Sequence, residues 1–244
     1  MIMNKEHLRN SFASTALMCA LTVSAGIAMS ANAPAEAAGI CPSAAEITTS
    51  QTLSAACKQF LIRKLDSTVY LEGRKDLEVA TYQKETGLPV DGAIGPITAK
   101  HILAGDKLRV ASPRHNRTEF LVDKQRQVAY DIVNGTVKHE ISVSTGTEKP
   151  FADRSKFDGH MITGVAHTPT GSWHVFRSEG PDYKAPLGGM PNARFFYEGF
   201  AVHEDPTTVR GRGSHGCVRV DHLAMPEIMA DLHNGSTVEV VEHL

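Results

Sequence analysis

The spacing of hydrophobic residues changes once along this chain. Before about residue 105 they recur at helical intervals; beyond about 118 they alternate with polar ones. Three helices are predicted in the first part. Ser54–Leu65 carries Ala56, Phe60, Leu61 and Leu65 on one face. Glu72–Glu85 follows and is closed by Gly87. The third runs through 97–105, opened by Gly95-Pro96 with proline at the first helical position. Alternation then predicts strands at Thr118–Val122, Val128–Ile132 and Thr136–Val143, the last two joined by the hairpin signal Asn134-Gly135. Further strands are predicted at Ser172–Phe176, Arg194–His203 and Thr237–Val241, with one late helix over Asp221–His233. Residues 147–168 read as irregular and 179–192 as a Gly/Pro-rich loop. The expected fold is mainly β, a β-sandwich with one late helix, preceded by a small three-helix domain.

The N-terminus departs from both patterns. Lys5 and Arg9 precede the uncharged apolar run Phe12–Met29, and small residues follow, the order of a secretory signal peptide. Ala35-Glu36-Ala37 is the better cleavage site, because Pro34 follows Ala31-Asn32-Ala33; an uncleaved anchor is the alternative. The expected layout is a signal peptide over 1–37, a helical domain over 38–105, a linker over 106–117 and a β domain over 118–244.

Export alters the meaning of the cysteines. Loss of Cys19 with the signal leaves Cys41, Cys57 and Cys217, an odd number in an oxidising compartment. Cys41 and Cys57 flank one short segment and form the natural pair, which leaves Cys217 as a free thiol. Composition adds little: 244 residues, 41% hydrophobic, 21% charged, net charge −2. Such a balance excludes a strongly basic nucleic-acid binder, so function must reside in a site.

Ser214-His215-Gly216-Cys217 is the candidate site. A cysteine nucleophile needs a base and an oxyanion site. His203 and His215 are both candidate bases. His203 is favoured because it comes from a separate strand, whereas His215, two residues from Cys217, flanks the thiol. Gly216 permits a sharp turn, so that the N–H groups of Gly216 and Cys217 can face an oxyanion. Arg219 could bind a substrate carboxylate or brace the loop. A zinc site is disfavoured, since neither HExxH nor CxxC spacing occurs. Of His160, His167, His174, His222 and His233 most are expected at the surface, while His160 and His167, in the irregular region, could line a site.

Two resemblances extend this picture. Val79, Tyr82, Gln83, Gly87, Leu88, Val90, Asp91, Gly92, Gly95, Pro96 and Thr98 resemble the second half of a three-helix peptidoglycan-binding domain, with Val79, Tyr82, Leu88, Ile94 and Ile102 as its core. His203 and Ser214–Arg219, with Ser144–Thr147, Thr168–Gly171 and Met190–His203 in the same order, resemble the L,D-transpeptidase (YkuD-type) catalytic domain. That resemblance implies a Cys217 thioester formed on a peptidoglycan tetrapeptide stem with loss of D-Ala. Transfer to a second stem then makes a 3→3 cross-link. It implies carbapenem-like β-lactams as acylating inhibitors, no cofactor and no stable protein partner. Ser214, Arg219, Tyr197 and Met190, with Phe200, are assigned to substrate contact. Glu204 departs from the family, which usually has a small residue there whose backbone carbonyl orients the base; Arg210 and Arg212 lie in the following loop. An L,D-carboxypeptidase using water and a non-catalytic peptidoglycan-binding protein are the alternatives.

Overall fold

The structure, a computed structural model, describes residues 39–66, 74–106, 117–205 and 211–244. The expected signal peptide, most of the expected linker and Arg210 lie outside them.

Three helices come first: α1 (Ala55–Asp66), α2 (Lys75–Thr86) and α3 (Pro96–Ala104). Their core contains Leu61, Leu65, Val79, Tyr82, Ile94, Ala99 and Ile102, with Leu88 against it. Cys57 sits in this core and is disulfide-bonded to Cys41. Gly87 ends α2 in the left-handed conformation (φ 70°), and the Leu88 N–H returns to the Gln83 carbonyl. The Gln83 side chain holds the Val90-Asp91-Gly92 turn: its Oε1 accepts from both Asp91 and Gly92 N–H groups, and its Nε2 donates to Asp91 Oδ1. The resemblance noted at Gln83, Asp91 and Gly92 thus corresponds to one hydrogen-bonded turn.

The remainder is β-rich: β1 (Glu119–Asp123), β2 (Val128–Val133), β3 (Thr136–Ser144), β4 (Pro150–Arg154), β5 (Met161–Val165), β6 (Gly171–His174), β7 (Arg177–Ser178), β8 (Lys184–Ala185), β9 (Gly188–Gly189), β10 (Arg194–Tyr197), β11 (Phe200–Asp205) and β12 (Val218–Asp221), then α4 (Ala224–Ile228) and β13 (Thr237–Val241). Nine strands form one curled sheet in the order β6-β13-β1-β2-β3-β12-β11-β10-β7. β1–β13 and β11–β12 are parallel; the other pairs are antiparallel. Its two edge strands are consecutive in the chain. The segment that starts on β13 as β6 crosses at Val175 and Phe176, whose N–H groups bond Ser236 and Phe195, and continues on β10 as β7. The halves share one core of Phe120, Val122, Val143, Val202, Val218, Val220, Met225, Ile228, Val238 and others.

Five elements differ from expectation, the smallest being the antiparallel pair β8–β9 within residues 179–192, expected as a loop. Arg194–His203 is a hairpin, not one strand, because Glu198 adopts φ 44° and turns the chain. The late helix spans only Ala224–Ile228. Ser172–Phe176 is divided by the sheet crossing. Residues 147–168, expected to be irregular, hold the antiparallel pair β4–β5, which lies outside the main sheet.

Strand β1 is buried along its whole length, on both faces. Phe120 and Val122 face the main core, while Leu121 joins Val128, Tyr130 and Ile132 on the opposite face. α2 packs against β2 and β3, which accounts for its burial on nearly every side. Lys84 is buried there and donates to Ser142 Oγ at 2.6 Å and the Gln127 carbonyl at 2.9 Å; burial pushes its pKa down to about 7. Arg74 reaches Asp221, at the end of β12, at 3.0 Å. The helical module is docked on the sheet through charged groups rather than tethered beside it.

Candidate active site

Cys217 immediately precedes β12. In the parallel β11–β12 pair Val202 faces Val218 and His203 faces Arg219, so thiol and imidazole arrive on neighbouring strands. Both open on one cleft of about 340 Å³, walled by Ile162 of β5, the Ala185–Met190 segment, Phe200, His215 and Arg219. The expected grouping of His203, His215 and Cys217 is therefore present in space.

His203 is only 5% exposed, and its Nδ1 lies 2.7 Å from the Glu204 carbonyl oxygen. That contact places the proton on Nδ1 and leaves Nε2 as the free lone pair. Burial pushes the imidazole pKa down to about 4, reinforced by the Arg219 charge and opposed by the Glu204 carbonyl and Asp205. The ring is thus neutral near pH 7. Glu204 departs from the family only in its side chain: the orienting group is the main-chain carbonyl, which any residue supplies. Its carboxylate accepts from Asn192 Nδ2 at 2.8 Å and ties the cleft's rim to β11.

The Cys217 sulfur lies 3.9 Å from the Gly199 carbonyl oxygen. Burial raises the thiol pKa, opposed by a backbone hydrogen bond from Ala201 and by the Arg219 charge. Among the described cysteines it is the free one.

The turn before Cys217 depends on Gly216, whose φ is +142°. A Cβ there would stand 2.5 Å from Phe200 Cε1 and 2.7 Å from the His167 carbonyl oxygen. The Gly216 N–H, expected to face an oxyanion, instead donates to Ser214 Oγ at 2.9 Å. Ser214 Oγ in turn donates to the Cys217 carbonyl at 2.6 Å. Ser214, expected to contact substrate, has its hydroxyl committed within the loop, and its residue is buried. Thr168 closes the other side: its Oγ1 accepts from the Gly146 N–H at 2.8 Å and donates to the Gly216 carbonyl at 2.6 Å. Thr145 completes the brace, accepting through its carbonyl from the Gly213 and Ser214 N–H groups, and is itself held by both ends of the Gln127 amide.

The other expected residues separate. Met190 lines the cleft but is mostly buried beside Ala193, Phe195 and Ala201. Tyr197 is outside the cleft, stacked on Phe200, which does line it, and lying against Trp173. Arg219 faces the cleft with its Nε paired to Asp205 at 3.2 Å. Arg212 braces the loop, reaching the Lys124 carbonyl and Glu148. His160, His167, His174, His222 and His233 are exposed, as expected. His215 lines the cleft, and its Nε2 sits 2.7 Å from Asp153 Oδ2 on β4.

Sequence reasoning passed over Gln127, Asp153 and the role of Thr168. Thr168 lies in a segment noted for its resemblance, but its contacts reach 22 and 48 residues away. Nothing in local spacing indicates such partners.

The model of the YkuD family, the L,D-transpeptidase catalytic domain, matches residues 117–240. No curated protein matches the chain. Among solved structures, an L,D-transpeptidase from Xylanimonas cellulosilytica is 25% identical with a TM-score of 0.65, over 75% of this chain and 92% of that one. One from Stackebrandtia nassauensis is 20% identical with a TM-score of 0.47, over 80% and 97%. The family match covers every strand of the curled sheet except the last residue of β13, together with the Cys217 cleft. The chain belongs to the YkuD family of L,D-transpeptidase catalytic domains.

Proposed function

We propose that this chain is an exported cell-wall enzyme that forms 3→3 peptidoglycan cross-links through a Cys217 thioester. The observation that carries the reading is the placement of Cys217 and His203 on one cleft, with Nδ1 of that imidazole held by the Glu204 carbonyl. His203 Nε2 takes the thiol proton as sulfur attacks the carbonyl of the third stem residue. The oxyanion draws on the Cys217 N–H; Gly216 serves as the turn, since its own N–H is engaged. The terminal D-Ala leaves with the proton from His203, and the side-chain amine of a second stem attacks the thioester. Arg219 is suited to a substrate carboxylate, being cationic and cleft-facing, with its Nε 3.2 Å from Asp205. Met190 and Phe200 shape the apolar wall. Carbapenem-like β-lactams acylate the same sulfur. The helical module, over 38–105, binds the wall, and the Cys41–Cys57 disulfide suits an oxidising compartment.

Intact-protein mass spectrometry with a purified tetrapeptide stem tests the reading. The wild type should release D-Ala, carry a tripeptide adduct on Cys217 and give dimers. Cys217→Ala should remain folded and do none of these. A wild type with neither D-Ala release nor adduct refutes the reading, and D-Ala release with hydrolysed tripeptide as the sole product assigns the chain to carboxypeptidase chemistry.

A further inference from the structure

Transfer to an amine moves more protons than His203 can carry. A side-chain amine is an ammonium near neutrality, so it must lose one proton before attacking and another as the amide forms. His203 has one free nitrogen, is buried, and must return a proton to sulfur. A second imidazole lines the same cleft and is better placed to exchange with solvent. The side chain of His215 is 32% exposed. Its Nε2 is 2.7 Å from the Asp153 carboxylate, which fixes the N–H on Nε2 and leaves Nδ1 basic.

The mounting is rigid. The edge of Phe151 meets the His215 ring at 4.6 Å and 65°. Gly164 packs so closely that a Cβ there would stand 3.1 Å from Phe151 Cε1. The β4–β5 hairpin carrying Asp153 and Phe151 is tied to the opposite rim by the Lys156 N–H on the Pro186 carbonyl at 2.7 Å. The charges are also divided. Arg219, beside His203, makes one side of the cleft cationic, while Asp153 supplies a carboxylate on the His215 side. Among the described residues, the remaining titratable groups lining the cleft are Cys217 and His203; Arg154, next to Asp153, is turned to the Gly159 carbonyl.

We propose that His215, held by the positioning residue Asp153, forms an acceptor subsite for cationic amines and takes the first proton from the acceptor ammonium. The inference rests on the transpeptidase reading above. One N–H bond of the ammonium breaks and its proton moves to His215 Nδ1, the imidazolium being stabilised by Asp153. The freed lone pair attacks the thioester carbon, and the C–S bond breaks as the C–N bond forms. The second N–H proton passes to His203 Nε2 and then to the Cys217 thiolate. His215 returns its proton to solvent.

The test uses the full chain and a tetrapeptide stem that ends in D-Ala and carries a free side-chain amine at position three, as donor and acceptor together. The readout is the ratio of cross-linked dimer to hydrolysed tripeptide, which partitions a single acyl-enzyme and does not depend on how much enzyme is folded. Asp153→Ala should lower this ratio about tenfold or more near pH 7, and His215→Gln at least as much. The deficit should shrink as pH rises toward the amine pKa, where free amine no longer needs a base. Asp153→Glu should restore most of the ratio. A ratio within about twofold of wild type in Asp153→Ala across that pH range overturns the inference while leaving the transpeptidase reading intact. A wild type that forms no adduct overturns both.

Discussion

Replacing Thr168 by Val keeps the side chain's shape and removes one hydroxyl. That hydroxyl is fully buried and bridges two backbone groups, accepting from the Gly146 N–H and donating to the Gly216 carbonyl. The substitution leaves one N–H and one carbonyl without these partners in a buried setting, at about 1–3 kcal/mol each. The extra methyl group recovers about 0.8 kcal/mol by its burial. A net loss of about 1–5 kcal/mol follows, measurable as a lower midpoint in urea denaturation at an unchanged slope. The functional effect should be larger than the stability loss alone implies, because the bridge joins the 144–147 segment to the turn that presents Cys217. The rate of adduct formation on Cys217, followed by mass spectrometry below the onset of unfolding, should fall at least tenfold. A variant that loses less than about 0.5 kcal/mol and acylates at the wild-type rate refutes the assignment of Thr168 as the brace of the turn.

Gly216→Ala should be more severe, because its Cβ would overlap Phe200 and the His167 carbonyl at a φ that side chains disfavour; a loss of about 2 kcal/mol or more with no detectable Cys217 adduct is expected from denaturation and mass spectrometry. Cys57→Ser opens a loop of sequence separation 16 and should cost about 3 kcal/mol, seen as a lowered denaturation midpoint that reductant no longer changes. Burial holds His203 down to about 4 against an ordinary 6.5, so its contribution to stability is complete above pH 6.5 and is lost as pH falls toward 4, by about 3 kcal/mol. Stability-versus-pH curves of wild type and His203→Gln should diverge in that window, and parallel curves would contradict the burial argument.

What was legible in the sequence depended on how local its physical cause is. The helices announce themselves through Gly87, Pro96 and their apolar spacing, because caps and periodicity act within a few residues. The strand pairs β1–β2 and β2–β3 follow from alternation and from Asn134-Gly135. The Arg194–His203 stretch misleads because β10 and β11 are both apolar, and the turn between them uses Glu198 at positive φ where Gly199 would be the usual signal. The short α4 is overextended for a similar reason: apolar residues continue to Leu232, which is buried in the main core without being helical. At the site, the grouping of His203, His215 and Cys217 could be read from sequence. The occupation of the Gly216 N–H could not, since it depends on which way the Ser214 hydroxyl points. Asp153 sits 62 residues from His215 in a segment without periodicity, and only tertiary folding joins them.

The same burial that shapes the cleft also decides when charge appears in it. The Cys217 pKa is raised and that of His203 is lowered, both primarily by burial. These shifts disfavour a resting thiolate–imidazolium pair, because each partner is more stable uncharged. The Arg219 cation lowers both pKa values, favouring the thiolate while disfavouring the imidazolium beside it. Proton transfer from sulfur to His203 Nε2 is therefore coupled, in the proposed reaction, to the arrival of a carbonyl that can pass the negative charge onward to an oxyanion. An empty cleft holding a neutral thiol reacts slowly with adventitious electrophiles and oxidants, since the thiolate is the reactive form. In the exported setting proposed above, the depressed imidazole and the elevated thiol would act together to keep the free cysteine quiet until a substrate supplies the charge sink.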